Sequence, residues 1–456
     1  MAKVADKYLK VDPWAIIEEG FDPERNRTSE SIFSLGNEYM GVRGYAEEGY
    51  SGDMLLGSYF NGLNEQLDIG KHYKGIITSL RYMVNAVDWL YTQISIDGEQ
   101  LDLAHSQISD YTRRLDFREG TYRRELVWHL KSGQKLRVSF TRLVSMTMSH
   151  LGLQQVAFEP LNFSGKVEIC SGLNFGIIHE ERGENMWNSL HSGGEGTVTA
   201  IMASTVNTGN KLFSSFTLQS PQVLDTTTVL RDKFIGQSFT LELTEGETNY
   251  FTKLAINCAD TDSHKTADEL WQEGMELAAT TRELTASEVF ADQASYWKGI
   301  WETSDIHIDG DPENQQGIRF CIFQLYQTYH GDHPGFNIGA KGLTGEVYRG
   351  LAFWDTESYC LPFYMFNNPK AAKSLLEFRY KTLSQAIQRA EEVDCKGACY
   401  PIATIDGTES CDLWQHSNLQ LHVGTAVSYG IWHYINITGD KSFLYSKGVE
   451  MLIQIS

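Results

Sequence analysis

Apolar and polar residues alternate with a period of two through much of residues 70–260. Leu136, Val138 and Phe140 alternate with Arg137, Ser139 and Thr141, the mark of a strand with one face against a core. The apolar run LVWHL and a Lys131-Ser132-Gly133 turn come just before it, which predicts a hairpin. Phe239, Leu241 and Leu243 repeat the alternation, an EGET turn follows, and Tyr250, Thr252, Leu254, Ile256 and Cys258 carry it on. Many short strands at this spacing, without helical segments between them, predict a large antiparallel β-sandwich over residues 1–261.

Near residue 262 the period changes to 3.6. Leu270, Trp271, Gly274, Leu277 and Ala278 fall on one helical face. Thr285 and Glu288 then have capping-box spacing ahead of a helix with Phe290, Trp297 and Trp301 along one side. These two predict a helical linker over residues 262–310. Asp311 and Pro312 occupy N-cap and N1 positions before a helix holding Ile318, Ile322, Leu325 and Tyr329, and Asn368-Pro369 repeat the signal before KAAKSLLEFRYKTL. A further helix carries Leu419, Val423, Ala426, Val427, Ile431 and Tyr434, and Asp440 is placed to cap a last one with Val449, Leu452 and Ile453. Residues 311–456 therefore read as an all-helical domain of five or six helices joined by long loops. The helical pattern is unfinished at Ser456, and we expect the chain to be the N-terminal portion of something longer.

Composition narrows the partners. A length of 456 residues with 41% hydrophobic and 21% charged residues fits a soluble protein of two or three domains. The net charge of −21 and the lack of a long basic run argue against nucleic acid or an anionic membrane surface as partner. The N-terminus has no apolar signal-peptide core, and no 18-residue apolar run occurs, which makes the cytoplasm the expected location. Seven cysteines, Cys395 and Cys399 among them, lack zinc-like pairing and are expected to be reduced thiols, without a metal. Aromatic residues make up 12%, with 10 Trp and 22 Tyr, which raises carbohydrate as a ligand because flat rings stack on sugar faces.

Two segments hold candidate chemistry. The first, GAKGLTGEVYRGLAFWDTESYCLPF at 339–363, joins several glycines to Tyr348, Arg349, Trp354, Asp355 and Glu357. A carboxylate can accept two hydroxyl hydrogen bonds while an indole packs on a ring or donates its N–H. Trp354 as plain core fits the pattern equally well, and the long glycine-bearing loop favours function. The second, CYPIATIDGTESCDLWQHSNLQLH at 399–422, sets Asp406, Glu409 and Asp412 ahead of Trp414, Gln415, His416 and His422. Paired carboxylates suit acid and base work on a glycoside, although acidic loop residues are usually just solvated. His416 and His422 are six apart, a poor spacing for two metal ligands on one helix. No GxSxG, Walker A or dinucleotide fingerprint occurs, and LGNEYMGVRG at 35–44 reads as a turn-rich sandwich segment.

SIFSLGNEYMGVRG, IGAKGLTGEVYRGLAFWDTE at 338–357, and the following LPF, RYKTL and ACYP resemble glycoside hydrolase family 65, the inverting α-glucoside phosphorylases. The likeness runs in order over nearly the whole chain. It implies an N-terminal β-sandwich, a helical linker and an (α/α)6 barrel, incomplete in this chain. It also implies that Trp354 and Asp355 hold the glucosyl unit, with Tyr348 and Arg349 beside them in substrate binding. The family's general-acid Glu, in a Gly-Pro-Asp-Glu-Tyr type motif, does not occur here and is expected beyond Ser456, as are the phosphate-binding residues. The implied reaction takes an α-glucoside such as kojibiose, maltose or nigerose and inorganic phosphate to β-glucose 1-phosphate and an acceptor sugar. It needs no cofactor, and no catalytic base, because phosphate is itself the nucleophile.

Departures from the family pattern fall on the acceptor side. Ile402 and Ala403 stand where maltose- and kojibiose-type members often carry Trp-Glu, and Leu351 where many have His. Trp414, Gln415 and His416 are the expected substitutes, and rhamnose or glycerol join glucose as candidate acceptors. Two rivals stand beside this reading: a same-fold hydrolase of trehalose or a related α-glucoside, and a sugar-binding chain without catalysis. By family analogy the assembly is a homodimer.

Overall fold

The computed structural model describes residues 8–70 and 77–456. Ten antiparallel strands form the larger sheet. From one edge they run Leu9–Asp12, Ala15–Glu19, Gln107–Asp116, Thr121–His129, Lys135–Val144, Leu151–Pro160, Asn249–Asp260, Lys211–Gln219, Val198–Thr205 and Trp187–Glu195. A second sheet orders Thr227–Arg231, Phe234–Leu243, Gly165–Asn174, Thr92–Ile96 and Glu99–Gln100. The expected hairpin is present: Val138 pairs with Leu126 and Leu136 with Trp128, and Leu130 donates its N–H to Gln134 at 2.9 Å. Leu136, Val138 and Phe140 face the second sheet's Ile94, Val167, Ile169, Phe239 and Leu241 in one buried cluster. That shared core is why alternation was visible in both segments.

The strand Asn249–Asp260 departs from simple alternation. Phe251 enters the inter-sheet core, while Leu254, Ile256 and Cys258 pack on the opposite face with Leu270 and Ala278. Both faces are covered because α2 (Ala267–Thr281) lies on the outside of the sheet, whereas Tyr250 is exposed. The periodicity did not show the edge strand Leu9–Asp12, its neighbour Ala15–Glu19, or α1 (Asn26–Ile32).

The capping signals read from sequence are formed. In α3 (Ala286–Ser304) Thr285 and Glu288 make the reciprocal box, and Thr266 with Glu269 make another at α2. Asp311 caps α4 (Pro312–Thr328) through the N–H of Asn314 at 3.1 Å. α3 packs firmly across the junction: Trp301 donates its indole N–H to the Phe117 carbonyl at 2.7 Å, and Trp297 stacks on Phe323 of α4 with centroids 4.4 Å apart.

A turn of π-helix at Thr356–Cys360 leads into α5 (Leu361–Asn367). Asn368 caps α6 (Pro369–Lys381) through the Ala371 N–H at 3.2 Å. The run expected as one helix breaks at Thr382, where α7 (Leu383–Glu392) begins. Likewise Leu419 belongs to a separate short helix, α8 (Trp414–Leu419), ahead of α9 (His422–Thr438), and is exposed. Leu361, Tyr364, Leu375, Leu376, Val427 and Ile431 form the core of this helical region.

Candidate active site

The two segments that carry the family resemblance meet in space. Gly41, in the short strand Met40–Val42, lies so close to the loop after α4 that a Cβ there would sit 2.2 Å from the Leu343 carbonyl oxygen. Two residues on, Arg43 donates to the Thr344 carbonyl at 2.7 Å. Gly350 has φ +66°, and a Cβ there would sit 2.5 Å from Cβ of Met83. These glycines allow the 339–350 loop to press against the β-sandwich, which accounts for their density before Trp354.

The same junction opens a cavity of about 450 Å³. Its apolar side is Val347, Leu351, Phe353 and Ala403; Glu180, Glu181, Glu346, Arg349 and Asp412 supply charge, and Tyr348 and Ser410 add hydroxyls. Glu180 and Glu181 come from the loop after the strand Gly165–Asn174, so both domains contribute. Arg349 reaches Glu181 with Nε at 3.3 Å and Asp412 at 3.6 Å. Glu346 is buried, accepts the Glu180 N–H at 2.9 Å, and faces Nδ1 of buried His179 at 3.3 Å. Burial lifts the Glu346 carboxyl to about 7, and burial lowers the His179 imidazole.

Tyr348 and Arg349, expected at the site, line this cavity. Trp354 and Asp355 follow the cavity-lining Phe353 in the chain and are not themselves on the wall. Trp354 is half-buried, its indole edge-on to His422 with centroids 4.8 Å apart, and Asp355 is exposed at the start of the π-turn. Trp414, Gln415 and His416 lie on α8 and are absent from the cavity wall; the His416 ring bonds to Gln420 instead. Ile402 and Ala403, at the positions where the family pattern departs, are buried.

Of the four carboxylates considered for chemistry, three, Glu357, Glu409 and Asp412, have different environments. Glu357 is buried in a two-point ion pair with Arg379, at 2.7 and 2.9 Å. Glu409 is buried and accepts the backbone N–H groups of Ile402, Ala403, Ser410 and Cys411; burial lifts its carboxyl above the ordinary range against those bonds. It holds its loop in shape. Asp412 alone of the three opens on the cavity, while Asp406 pairs with Arg81 at 2.9 Å. Among the described residues no group of three or more His, Cys, Asp or Glu is placed to hold a metal ion, and no helix is long and apolar enough to cross a membrane.

Sequence reasoning missed His179, Glu180, Glu181 and Glu346. The HEERGE run at 179–184 reads as a solvated turn, and its one signal is a charge cluster inside an otherwise alternating region.

Residues 16–300 match the model of the glycosyl hydrolase family 65 N-terminal domain, and residues 319–456 match that of the family 65 central catalytic domain. The chain belongs to glycosyl hydrolase family 65. Among family 65 relatives it is 31% identical to the maltose phosphorylase of Bacillus subtilis strain 168, over 99% of this chain and 60% of that protein. It is 31% identical to the α,α-trehalose phosphorylase of Thermoanaerobacter brockii, over 97% of this chain and 59% of that one. A solved structure, a candidate kojibiose phosphorylase from the human microbiome, superposes with a TM-score of 0.95 at 35% identity, covering 99% of this chain and 60% of that one. The chain thus spans about 60% of the length of the curated family 65 proteins it matches.

Proposed function

We propose that the protein is an inverting α-glucoside phosphorylase that cleaves a disaccharide or related α-glucoside with inorganic phosphate, giving β-glucose 1-phosphate and the acceptor. The observation that carries this reading is the similarity to maltose and α,α-trehalose phosphorylases over nearly the whole chain. The position of Trp354 and Asp355 in the chain, directly after Phe353 of a cavity that both domains line, supports it.

Phosphorolysis with inversion needs one acid to protonate the departing oxygen while phosphate attacks the anomeric carbon from the opposite face. A single essential carboxylate suffices, unlike the two of an inverting hydrolase. Glu357 is a poor candidate, because both of its oxygens are taken up by the buried Arg379 guanidinium, and Glu409 is bound by its own loop. Neither is free to donate a proton to a sugar, and we place the acid outside these two. Asp355, exposed and charged beside a half-buried indole, suits holding the glucosyl hydroxyls. Orthophosphate as co-substrate, no organic cofactor, a cytoplasmic location and a homodimeric assembly complete the reading, the last on family resemblance.

The test is release of β-glucose 1-phosphate from a panel of α-glucosides by the full-length protein, with and without orthophosphate. Product only with orthophosphate supports the proposal. Free glucose released without it would make the protein a hydrolase.

A further inference from the structure

One buried carboxyl holds together the two loops that frame the cavity. Glu346 is 5% exposed. It accepts the Glu180 N–H at 2.9 Å, lies 3.5 Å from the Tyr59 hydroxyl, which donates, and faces His179 at 3.3 Å. Just beyond it Tyr348, Arg349 and Gly350 take φ of +58°, +56° and +66°, a short left-handed turn. For the two non-glycine residues this conformation is strained and persists only where the surroundings over-determine it. Its consequence is positional: Arg349 is carried over the cavity, between Glu181 of the β-sandwich and Asp412 of the helical region.

The result is a mixed wall. A guanidinium flanked by two carboxylates presents donors and acceptors side by side, which matches adjacent hydroxyls of a sugar. In the same cavity Leu351, Phe353 and Ala403 give apolar surface suited to a pyranose face. Phe353 lines the cavity and directly precedes Trp354 in the chain, so the wall is next in sequence to the pair expected to hold the glucosyl unit.

We propose that Glu181, Arg349 and Asp412 recognise the unit of the glucoside that leaves, and that Glu346 is a positioning residue that sets the Glu180–Glu181 loop against them. This rests on the phosphorylase reading. It makes the acceptor a polyhydroxylated ring with one apolar face, chosen jointly by both domains.

The experiment runs the reaction backwards in the full-length protein, from β-glucose 1-phosphate and a panel of monosaccharides that includes glucose and a 6-deoxy sugar. Glu181→Gln and Asp412→Asn change exposed side chains and leave the fold in place. Each is expected to raise the KM for the acceptor about tenfold or to re-rank the panel, with the KM for β-glucose 1-phosphate held within about twofold. Glu346→Ala is expected to raise the acceptor KM without a matching fall in kcat, and Glu346→Gln, which still accepts the Glu180 N–H, to restore it. Unchanged acceptor KM and ranking in both Glu181→Gln and Asp412→Asn would overturn the inference while the wild-type turnover upholds the phosphorylase. Equal rises in the KM of both substrates would also overturn it. Absence of any phosphate-linked turnover in the wild type would sink the phosphorylase reading and this inference together.

Discussion

The Glu38 carboxylate, in the β-sandwich, accepts the backbone N–H of Gly331, in the turn after α4, at 2.7 Å. It also takes the N–H groups of His330, Asp332 and His333 at 2.9, 3.2 and 3.0 Å, and is fully buried. One side chain thus satisfies the orphan amides of a turn nearly 300 residues away. Glu38 itself has φ +69°, a strain that this anchoring offsets. Glu38→Ala leaves buried N–H groups without acceptors and is expected to destabilise the chain by about 3–5 kcal/mol, with Glu38→Gln between it and wild type. Denaturant unfolding of the three forms checks this. A wild-type midpoint for Glu38→Ala would show that water replaces the carboxylate.

Arg379 and Glu357 give a second prediction, because each is buried and the pair is two-pronged. Burial alone would pull the guanidinium down, but the Glu357 carboxylate outweighs it and holds Arg379 above its ordinary value. Arg379→Met strands a buried carboxylate and is expected to cost about 3–5 kcal/mol, whereas Arg379→Met with Glu357→Leu recovers most of that loss. A double-mutant cycle by thermal unfolding measures the coupling. If Glu357→Gln instead keeps full stability and abolishes turnover, Glu357 works on substrate and the structural assignment is wrong.

These two contacts also explain what the chain revealed and what it concealed. Leu136, Val138 and Phe140 were legible because one face of their strand packs on a second sheet, so burial is written as alternation. Thr285 with Glu288 and Asp311 with Pro312 were legible because a cap is satisfied within three residues. Glu38 and Glu346 were not, since an acidic residue in a loop looks solvated and its backbone partners carry no side-chain code. For the candidate site, Tyr348 and Arg349 came from a local segment that itself lines the cavity. Glu181 comes from the other domain and depends on tertiary docking. Trp414 drew notice because an aromatic beside acids resembles a sugar platform; it lies on α8 and is not part of the cavity wall.

Glu346 predicts a pH effect on stability. Its folded value is lifted by burial from the ordinary 4.5 to about 7, so between those values the folded chain keeps a proton that the unfolded chain has released. The stabilisation is complete below about pH 4.5 and is lost as pH rises through about 7, by at most about 3 kcal/mol. His179, lowered by burial, contributes the opposite slope as pH falls, and it is present in both forms compared. The difference in unfolding free energy between wild type and Glu346→Gln therefore reports the carboxyl together with its contact to His179 at 3.3 Å. Wild type is expected to lose ground to the variant from pH 4.5 to 7, and parallel profiles would refute the raised value.

Asp355 and Trp354 separate function from fold most cleanly. Asp355 is exposed, so Asp355→Asn is expected to change stability by no more than about 0.5 kcal/mol. Its carboxylate, placed to accept sugar hydroxyls, has charge-assisted bonds of about 1.5–3 kcal/mol to lose, so kcat/KM for phosphorolysis by the full-length protein is expected to fall roughly 10- to 100-fold. Trp354 is different, because its ring also packs edge-on against His422. Trp354→Phe keeps an aromatic surface and removes the N–H, so it is expected to retain the fold and to lose less activity than Asp355→Asn. Steady-state kinetics beside unfolding curves decide the matter. An Asp355→Asn protein with wild-type kcat/KM would take Asp355 out of glucosyl binding and move the donor subsite away from the start of the π-turn.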